Sequence, residues 1–283
     1  MSGFRAFFTS DLHGHPSRYR KLVETTLAER PQVVLIGGDL LPFDQQWTGG
    51  DFISDVMRPE FRRLVDRLGH EAPRVLLIFG NDDPRDREAG ILEGETEGLW
   101  TYLNERSVKV AGHSFTGYSF VPPTPFMLKD WERFDVSRHV DPGCVSPEHG
   151  RRTVPMAADE LRDRTISADL EHLGRDRDLS RAVFLFHSPP YRSQLDRAAL
   201  DGRMVDHVPL DVNVGSIAIS RFIENRQPLL TLHGHIHEST RLTGSWRDLI
   251  GRTHAFNGAH DGPELALIRF DFGDLENATR ELI

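Results

Sequence analysis

Three histidines at alternate positions, His233, His235 and His237, lie around Gly234 in the stretch TLHGHIHES (231–239). Imidazoles two residues apart at the abrupt end of an apolar run have two readings, a histidine-rich surface turn or a metal site. Four other stretches share the pattern of polar ligand-type residues just past an apolar run. FRAFFTS is followed by Asp11, His13 and His15, QVVLIGG by Asp39, RVLLIFG by Asn81, Asp82 and Asp83, and AVFLF by His187. Each alone has an everyday reading: Gly-Asp as a turn, Asn81 as a helix cap or Asx-turn, His187 as a loop histidine. Five together, each at the carboxyl end of an apolar strand, favour metal chemistry, because ligands in open α/β sheets collect at those ends. The donors are nitrogen and oxygen without thiolate, which suits Mn²⁺, Fe, Zn²⁺ or Ni²⁺. Asp11, His13, Asp39, Asn81, His187, His235 and His237 exceed the needs of one ion and suit two. Two ions about 3.5–4 Å apart form a clamp for phosphoryl hydrolysis, and Asp39 is the best-placed carboxylate to be shared.

The elements that must position these residues alternate. Strands are expected over 4–10, 32–38 and 74–80, with helices over 17–30 and 60–69 between them. A β-α-β-α-β order requires helical crossovers and so predicts an α/β fold with a parallel core. Two short strands around a Gly-containing turn are expected over 107–121. A helix is expected over 157–174, a strand over 181–190, a helix over 216–226, a strand over 228–235, and late strands in THAFNGAH and ELALIRFDF. The chain reads as one domain over 1–283. Residues 122–155, rich in Pro, Asp, Arg and Gly, form a long irregular insertion that could serve as a lid.

Composition narrows the classes. The 283 residues, 38% hydrophobic, suffice for a packed core, and a net charge of −9 argues against a general polyanion-binding surface. The one cysteine, Cys144, rules out an intrachain disulfide and a thiolate cluster, and its Pro/Gly-rich surroundings mark it as incidental. No apolar run approaches the ~18 residues of a membrane span, and the opening residues do not resemble a signal peptide. The expected location is cytoplasmic, with no membrane partner.

The motifs DLH (11–13), GD (38–39), GN (80–81), His187 and GHIH (234–237), in that order, resemble the signature of the calcineurin-like metallophosphoesterases, over residues ~4–260. The stretch from HSPPYRSQLDR to TLHGHIHES is similar to a prokaryotic phosphodiesterase-like subgroup. The resemblance implies a four-layer α/β/β/α sandwich of two mixed β-sheets. It also implies two divalent ions, Mn²⁺ foremost. Asp11, His13 and His237 would hold one, Asn81, His187 and His235 the other, and Asp39 would bridge them. His233 has no ligand role in that pattern and is expected to be structural. The implied reaction is in-line attack on phosphorus by a hydroxide shared between the ions. Many relatives read GNH at the third motif, with the histidine assisting the transition state. Here the sequence is GND, so Asp82 stands in that place. A carboxylate does acid work near neutral pH only with a raised pKa. His15 is the nearest alternative donor in sequence, with His207 and His139 as loop candidates; Asp83 either orients neighbours or caps a helix before Pro84.

Other features keep two readings. VGSIAI (214–219) is either a Ser-capped helix start or a phosphate-binding one. Asn257 and Gly258 could line the site floor. Phe126, Trp131 and Phe134 could stack on a substrate ring or anchor the insertion. The expected activity is hydrolysis of a small phosphodiester. The alternatives are a phosphomonoesterase or nucleotide pyrophosphatase, and, from another class, a non-catalytic scaffold. Long DNA is disfavoured by charge, with Arg151–Arg152 the one local basic strip.

Overall fold

The computed structural model describes residues 3–43 and 47–283. Along the chain come β1 (Arg5–Thr9), α1 (Pro16–Glu29), β2 (Val33–Gly37), α2 (Arg58–Leu68), β3 (Arg74–Ile78), α3 (Glu88–Thr96) and β4 (Thr101–Tyr102). There follow β5 (Ser107–Val110), β6 (His113–Tyr118), α4 (Ala158–Asp163), α5 (Ile166–Gly174), β7 (Ala182–Phe186) and the small hairpin of β8 (Met204–Val205) with β9 (Val208–Pro209). The last are α6 (Ile217–Arg226), β10 (Leu230–His233), α7 (Ser239–Thr243), β11 (Arg247–Ile250), β12 (Thr253–Asn257), β13 (Ala266–Asp271) and β14 (Asp274–Leu282).

Two six-stranded mixed sheets result. The first runs β14-β13-β1-β2-β3-β4, with β1 to β4 parallel and β13 and β14 antiparallel at one side. The second runs β11-β12-β10-β7-β6-β5, with the four central strands parallel and antiparallel strands at both edges.

Strand periodicity sorts the core into layers. Alternate side chains of a strand face opposite sides of its sheet. Ala6, Phe8, Val33, Leu35, Leu76 and Ile78 of the first sheet pack with Val183, Leu185, Leu230, Leu232 and Phe256 of the second. Their neighbours Phe7, Val34, Ile36, Val75 and Leu77 belong instead to the cluster with Leu22 and Val23 of α1, while Phe184 and Phe186 share that cluster with Phe222 and Ile223 of α6. Apolar residues at both odd and even positions are what a sheet covered on both faces requires. The four-layer α/β/β/α arrangement follows.

The expected strands and helices are present, with differences. The helix over 157–174 is two helices. Thr165 breaks it by adopting an extended conformation (φ −128°, ψ 156°), where its side chain accepts from Ala168 N and caps α5. The helix α3 and strands β4, β11 and β14 carry weak patterns and are additions to the expected elements. At α6, the carboxylate of Asp135 accepts from Ser216 Oγ and the amides of Ile217 and Ala218, and Ser216 caps Ile219 N at 3.0 Å. The helix start is thus satisfied by protein groups.

In the 122–155 segment, Trp131 and Phe134 are buried and Phe126 is exposed. Trp131 packs against Phe79 and Phe120, and its Nε1 donates to Asp83 O at 2.8 Å. Two of the three aromatics are therefore anchors. Lys129 and Glu132 form a wholly buried ion pair at 2.6 Å, and burial pushes the Cys144 thiol up to about 11, which keeps it protonated. Trp131→Ala is expected to cost ~3–5 kcal/mol in urea unfolding, the range for large buried aromatics. A loss below ~1 kcal/mol would show that the segment is not held by this ring.

Candidate metal centre

All five ligand-bearing segments leave the carboxyl ends of parallel strands: β1, β2 and β3 side by side in the first sheet, β7 and β10 in the second. Beyond the sheet the first two segments stay paired. Asp11 N donates to Gly38 O, His13 N to Asp39 O and Gly14 N to Leu40 O, at 2.8–3.0 Å. Gly234 N donates likewise to His187 O at 2.9 Å. This pairing holds four candidate ligands in the left-handed region: Asp11 (φ 58°), His13 (φ 44°), Asp39 (φ 50°) and His235 (φ 71°). Such backbone costs about 1–3 kcal/mol per residue and persists where the surroundings over-determine it, often at functional sites. Close approach depends on glycine: a Cβ at Gly80 would lie 2.2 Å from Asp39 Oδ1, and one at Gly234 would lie 2.1 Å from Ser10 Oγ and 2.4 Å from Asp11 Oδ2.

Two groups of donors result, each with its ligand atoms within 4.8 Å of one another: Asp11, His13, Asp39 and His237, then Asp39, His187 and His235. Asp39 belongs to both. Asn81 joins the second group, its Oδ1 lying 3.1 Å from His187 Nε2. His13 Nε2 lies 3.0 Å from His237 Nε2, and His187 Nε2 lies 3.2 Å from Asp39 Oδ2. Bonds of about 2.0–2.2 Å to a shared ion imply ligand-to-ligand edges of about 2.8–3.6 Å across octahedral and tetrahedral geometries, so these spacings fit a divalent ion.

The electrostatics fit as well. Asp11, Asp39 and His187 are buried. His187 Nδ1 faces the Gly37 carbonyl at 2.8 Å, so it carries a proton. Its Nε2 then meets two acceptors, Asp39 Oδ2 and Asn81 Oδ1, an arrangement that needs a cation or a proton between them. Burial alone would lower the His187 pKa, but Asp39 and Asp11 outweigh it and raise it to about 10. At His237 burial is likewise outweighed by Asp11 and Asp39, giving about 9. His235, buried and beside His187, is lowered to about 3. For Asp11 and Asp39, burial acts upward but the facing histidines prevail and hold both carboxyls below the usual range.

The remaining sequence candidates divide. Asp82 lies in the centre, half-buried, its amide donating to Asp39 Oδ1 at 2.9 Å and its carboxyl accepting from Asn81 Nδ2 at 2.9 Å. Burial and then Asp39 push its carboxyl up to about 8. Asp83 orients neighbours: its carboxylate accepts from the amides of Leu40, Leu41 and Gly80, at 2.8 Å each, tying the Asp39 segment to the Asn81 segment. His15 is exposed at the start of α1, outside both donor groups, and so are His139 and His207. His233 also stands apart, donating from Nδ1 to Ser188 O and accepting at Nε2 from Thr231 Oγ1, and burial lowers it to about 4. Asn257 is buried and spent on Ser239 Oγ and Ala259 N. Arg152 is spent on the carbonyls of Lys129 and Pro147. Phe43, stacked on His13, is a neighbour that motif reading missed, since no spacing rule announces it.

The sequence model of the calcineurin-like phosphoesterases matches residues 4–239. The chain belongs to this family. Calcineurin-like phosphoesterases are metal-dependent phosphoester hydrolases, and the two Asp/His groups are where this phosphoesterase could hold its ions. No curated protein sequence matches it. Among solved structures, one is similar with a TM-score of 0.62 and 14% identity, covering 99% of both chains. The protein TT1561 of Thermus thermophilus is similar with a TM-score of 0.58 and 15% identity, again over 99% of both chains. A dimetal phosphatase from Danio rerio, at 14% identity and a TM-score of 0.49, matches over 99% of this chain and 95% of its own. At such identities the first two likenesses establish the fold of the phosphoesterase.

Metal and protons compete for the same nitrogens. His187 and His237, raised to about 10 and about 9 in the ion-free protein, stabilise the fold fully below their ordinary 6.5 and lose that contribution as pH rises through 9–10. Asp82, raised from 3.8 to about 8, acts in the same direction, since its ionisation is disfavoured in the folded state. Chelator-treated protein should therefore lose thermal stability between pH 7 and pH 10. Loading with divalent ions at pH 7 should release about two protons per chain from these histidines and up to one more from Asp82, read by calorimetry in buffers of different ionisation enthalpy. Proton-neutral binding would show that metal does not displace the protons of these imidazoles.

Proposed function

We propose that this phosphoesterase is a dinuclear phosphodiesterase of small molecules, with the whole chain acting as one catalytic unit. The observation that carries the reading is the membership of Asp39 in both donor groups. Asp11, His13 and His237 would hold one ion, Asn81, His187 and His235 the other, with Asp39 between them. Mn²⁺ is the ion we assign to this nitrogen and oxygen set, which also accepts Fe, Zn²⁺ or Ni²⁺. When bound, the two ions would make water a competent nucleophile at neutral pH and take up charge developing on the phosphoryl oxygens.

The protein's own residues complete the work. Gly37 O fixes the ring of His187 by accepting its Nδ1–H, the outer contact that usually orients a ligating histidine. Asp82 accepts the Asn81 amide N–H and so turns the amide oxygen toward His187 and the second donor group. A carboxyl at position 82 also favours a diester: whether neutral or ionised, it lacks the positive charge a histidine there would offer to a phosphomonoester dianion. We assign proton delivery to the leaving oxygen to Asp82 rather than to His15, because Asp82 lies among the donors and His15 lies outside both groups. The net charge of −9 supports small substrates over long polyanions. A cytoplasmic setting is part of the same reading, supported by the single cysteine. No helix among the described residues is long and apolar enough to cross a membrane.

Hydrolysis of bis-p-nitrophenyl phosphate should depend on added Mn²⁺ and exceed that of p-nitrophenyl phosphate. Asp39→Ala should lower it by more than ~100-fold, the upper range for merely outer contacts of metal ligands. Preference for the monoester would transfer the assignment to a phosphatase; no turnover of either, with no metal retained on elemental analysis, would leave a scaffold. Asp82→Asn should slow a dialkyl phosphate by ~10²-fold or more, the range for general acid catalysis, and a p-nitrophenyl ester, whose leaving group needs no proton, by less than ~10-fold. Equal losses would restrict Asp82 to orienting Asn81.

A further inference from the structure

Beside the metal centre, residues 41–43, 47 and 50–52 and the turn following Asp83 line a cleft of about 110 Å³. Its walls include Leu41, Pro42, Phe43, Trp47, Pro84 and Arg87. Phe43 joins the cleft to the centre. Its ring stacks on the imidazole of His13, with centroids 5.3 Å apart and planes 16° apart, yet the residue is 45% exposed. Single exposed aromatics are common on protein surfaces, so exposure alone carries nothing. The combination is more specific: an aromatic face one ring away from a candidate metal ligand, inside a cleft, with unused polar groups around it.

Those groups are two. The Trp47 indole packs edge-on against Phe52 at 5.1 Å, and its Nε1 is buried without an acceptor among the described residues. An indole N–H that is buried ordinarily finds a partner. Arg87 is exposed, and its guanidinium makes no hydrogen bond among the described residues; its nearest carboxylates, Asp86 and Asp51, lie 3.7 and 3.9 Å away. A guanidinium offers five donors in a fixed plane, and here two carboxylates face it at ion-pair distance while none of its N–H groups makes a hydrogen bond among the described residues.

The size of the cleft limits what enters it. Sites that enclose a whole small ligand run to about 300–1,000 Å³, so this one holds one group of a substrate whose phosphate lies elsewhere. A flexible acyl or alkyl group would use the apolar walls and leave Arg87 and Trp47 Nε1 unused. A planar ring with acceptors on its edge uses all of them.

The geometry points to a subsite in which Phe43 stacks against a planar, polar-edged ring of the ester, of the nucleobase type, while Arg87 and Trp47 Nε1 donate to that ring's acceptors. This rests on the phosphodiesterase reading above, which places the phosphate at the neighbouring donor groups. The phosphodiesterase would thus select esters whose alcohol portion is a nucleoside or an equivalent ring-bearing group.

The test compares two product-like monoesters that differ only in the ring, adenosine 5′-monophosphate and ribose 5-phosphate, titrated by calorimetry into the Mn²⁺-loaded protein. The nucleotide is expected to bind about tenfold or more tightly, the scale of one base stacked on an aromatic side chain. Phe43→Ala should reduce that preference to about twofold or less, and Phe43→Trp should retain it. Arg87→Ala, which touches no metal ligand, should also reduce the preference, and so serves where Phe43→Ala disturbs His13. Equal affinity for the two ligands, or a preference that survives both Phe43→Ala and Arg87→Ala, overturns the subsite. If bis-p-nitrophenyl phosphate is hydrolysed at the same time, only the subsite falls. If neither monoester binds and no ester is hydrolysed, the phosphodiesterase reading falls and the subsite with it.

Discussion

The carboxylate of Asp39 is buried at the end of a central strand, and much of the centre follows from that placement. A buried anion is costly unless opposite charge and hydrogen bonds meet it closely. Asp39 Oδ1 accepts the amide of Asp82, Oδ2 faces His187 Nε2 at 3.2 Å, and His13 Nε2 approaches Oδ2 to 3.8 Å. Without an ion, protons must serve as the compensating charge, which is why His187 is driven so far above its ordinary value. A divalent ion held by these donors would supply that charge in place of the protons. Energetically the site is a concentration of buried acid whose charge, without an ion, is balanced by protons on His187 and His237.

Bringing that acid together constrains the scaffold. Asp11 and Asp39 come from neighbouring parallel strands of one sheet, His187 and His235 from neighbouring strands of the other. The two sheets must pack so that these ends coincide, and the layer of Phe8, Leu35, Ile78, Leu185 and Leu232 between them sets that alignment. The strained backbones of Asp11, His13, Asp39 and His235 are sustained because the segments keep hydrogen-bonding past the ends of their strands. Packing supplies the stability that the site consumes, in line with cores that support local strain at functional positions.

How much of this was legible in the sequence depends on the range of the interactions involved. The parallel strands and their ligand-bearing ends were readable because each is a local event: an apolar run sealed on both faces, then a glycine and a donor. His233 could be set apart from its neighbours only through the family resemblance; the structure adds the local reason, since its strand position turns it into the sheet and its two nitrogens are spent on Ser188 and Thr231. The strand β14, DLENATREL, escaped because an edge strand with one face in solvent carries few apolar residues. The break at Thr165 escaped because Thr is compatible with a helix interior as well as with a cap, and Arg164, held by Glu105 and Asp169, decides the matter from a distance. Contacts between residues distant in sequence, such as Phe43 on His13 or Asp83 with the amides of Leu40 and Leu41, have no periodicity to read.

The substitution of Asp82 for the histidine common at this motif changes what the centre can favour. A histidine there would add positive charge on protonation and help a dianionic phosphate. The carboxyl instead sits beside Asp39, where burial and then the Asp39 charge raise its pKa, and it accepts the Asn81 amide. Binding two ions would lower that pKa, because the same Asp39 charge that disfavours ionisation is then neutralised. Holding a proton on Asp82 and holding the metals are therefore opposed, and the balance between them depends on how far solvent is kept from the carboxyl. Asp82 is half-buried in the ion-free protein, so a substrate group lying over the centre would complete its desolvation. Desolvation disfavours the charged carboxylate and restores the proton. Under the acid role proposed for Asp82, the carboxyl would become competent when the ester covers it, which would couple proton delivery to substrate occupancy.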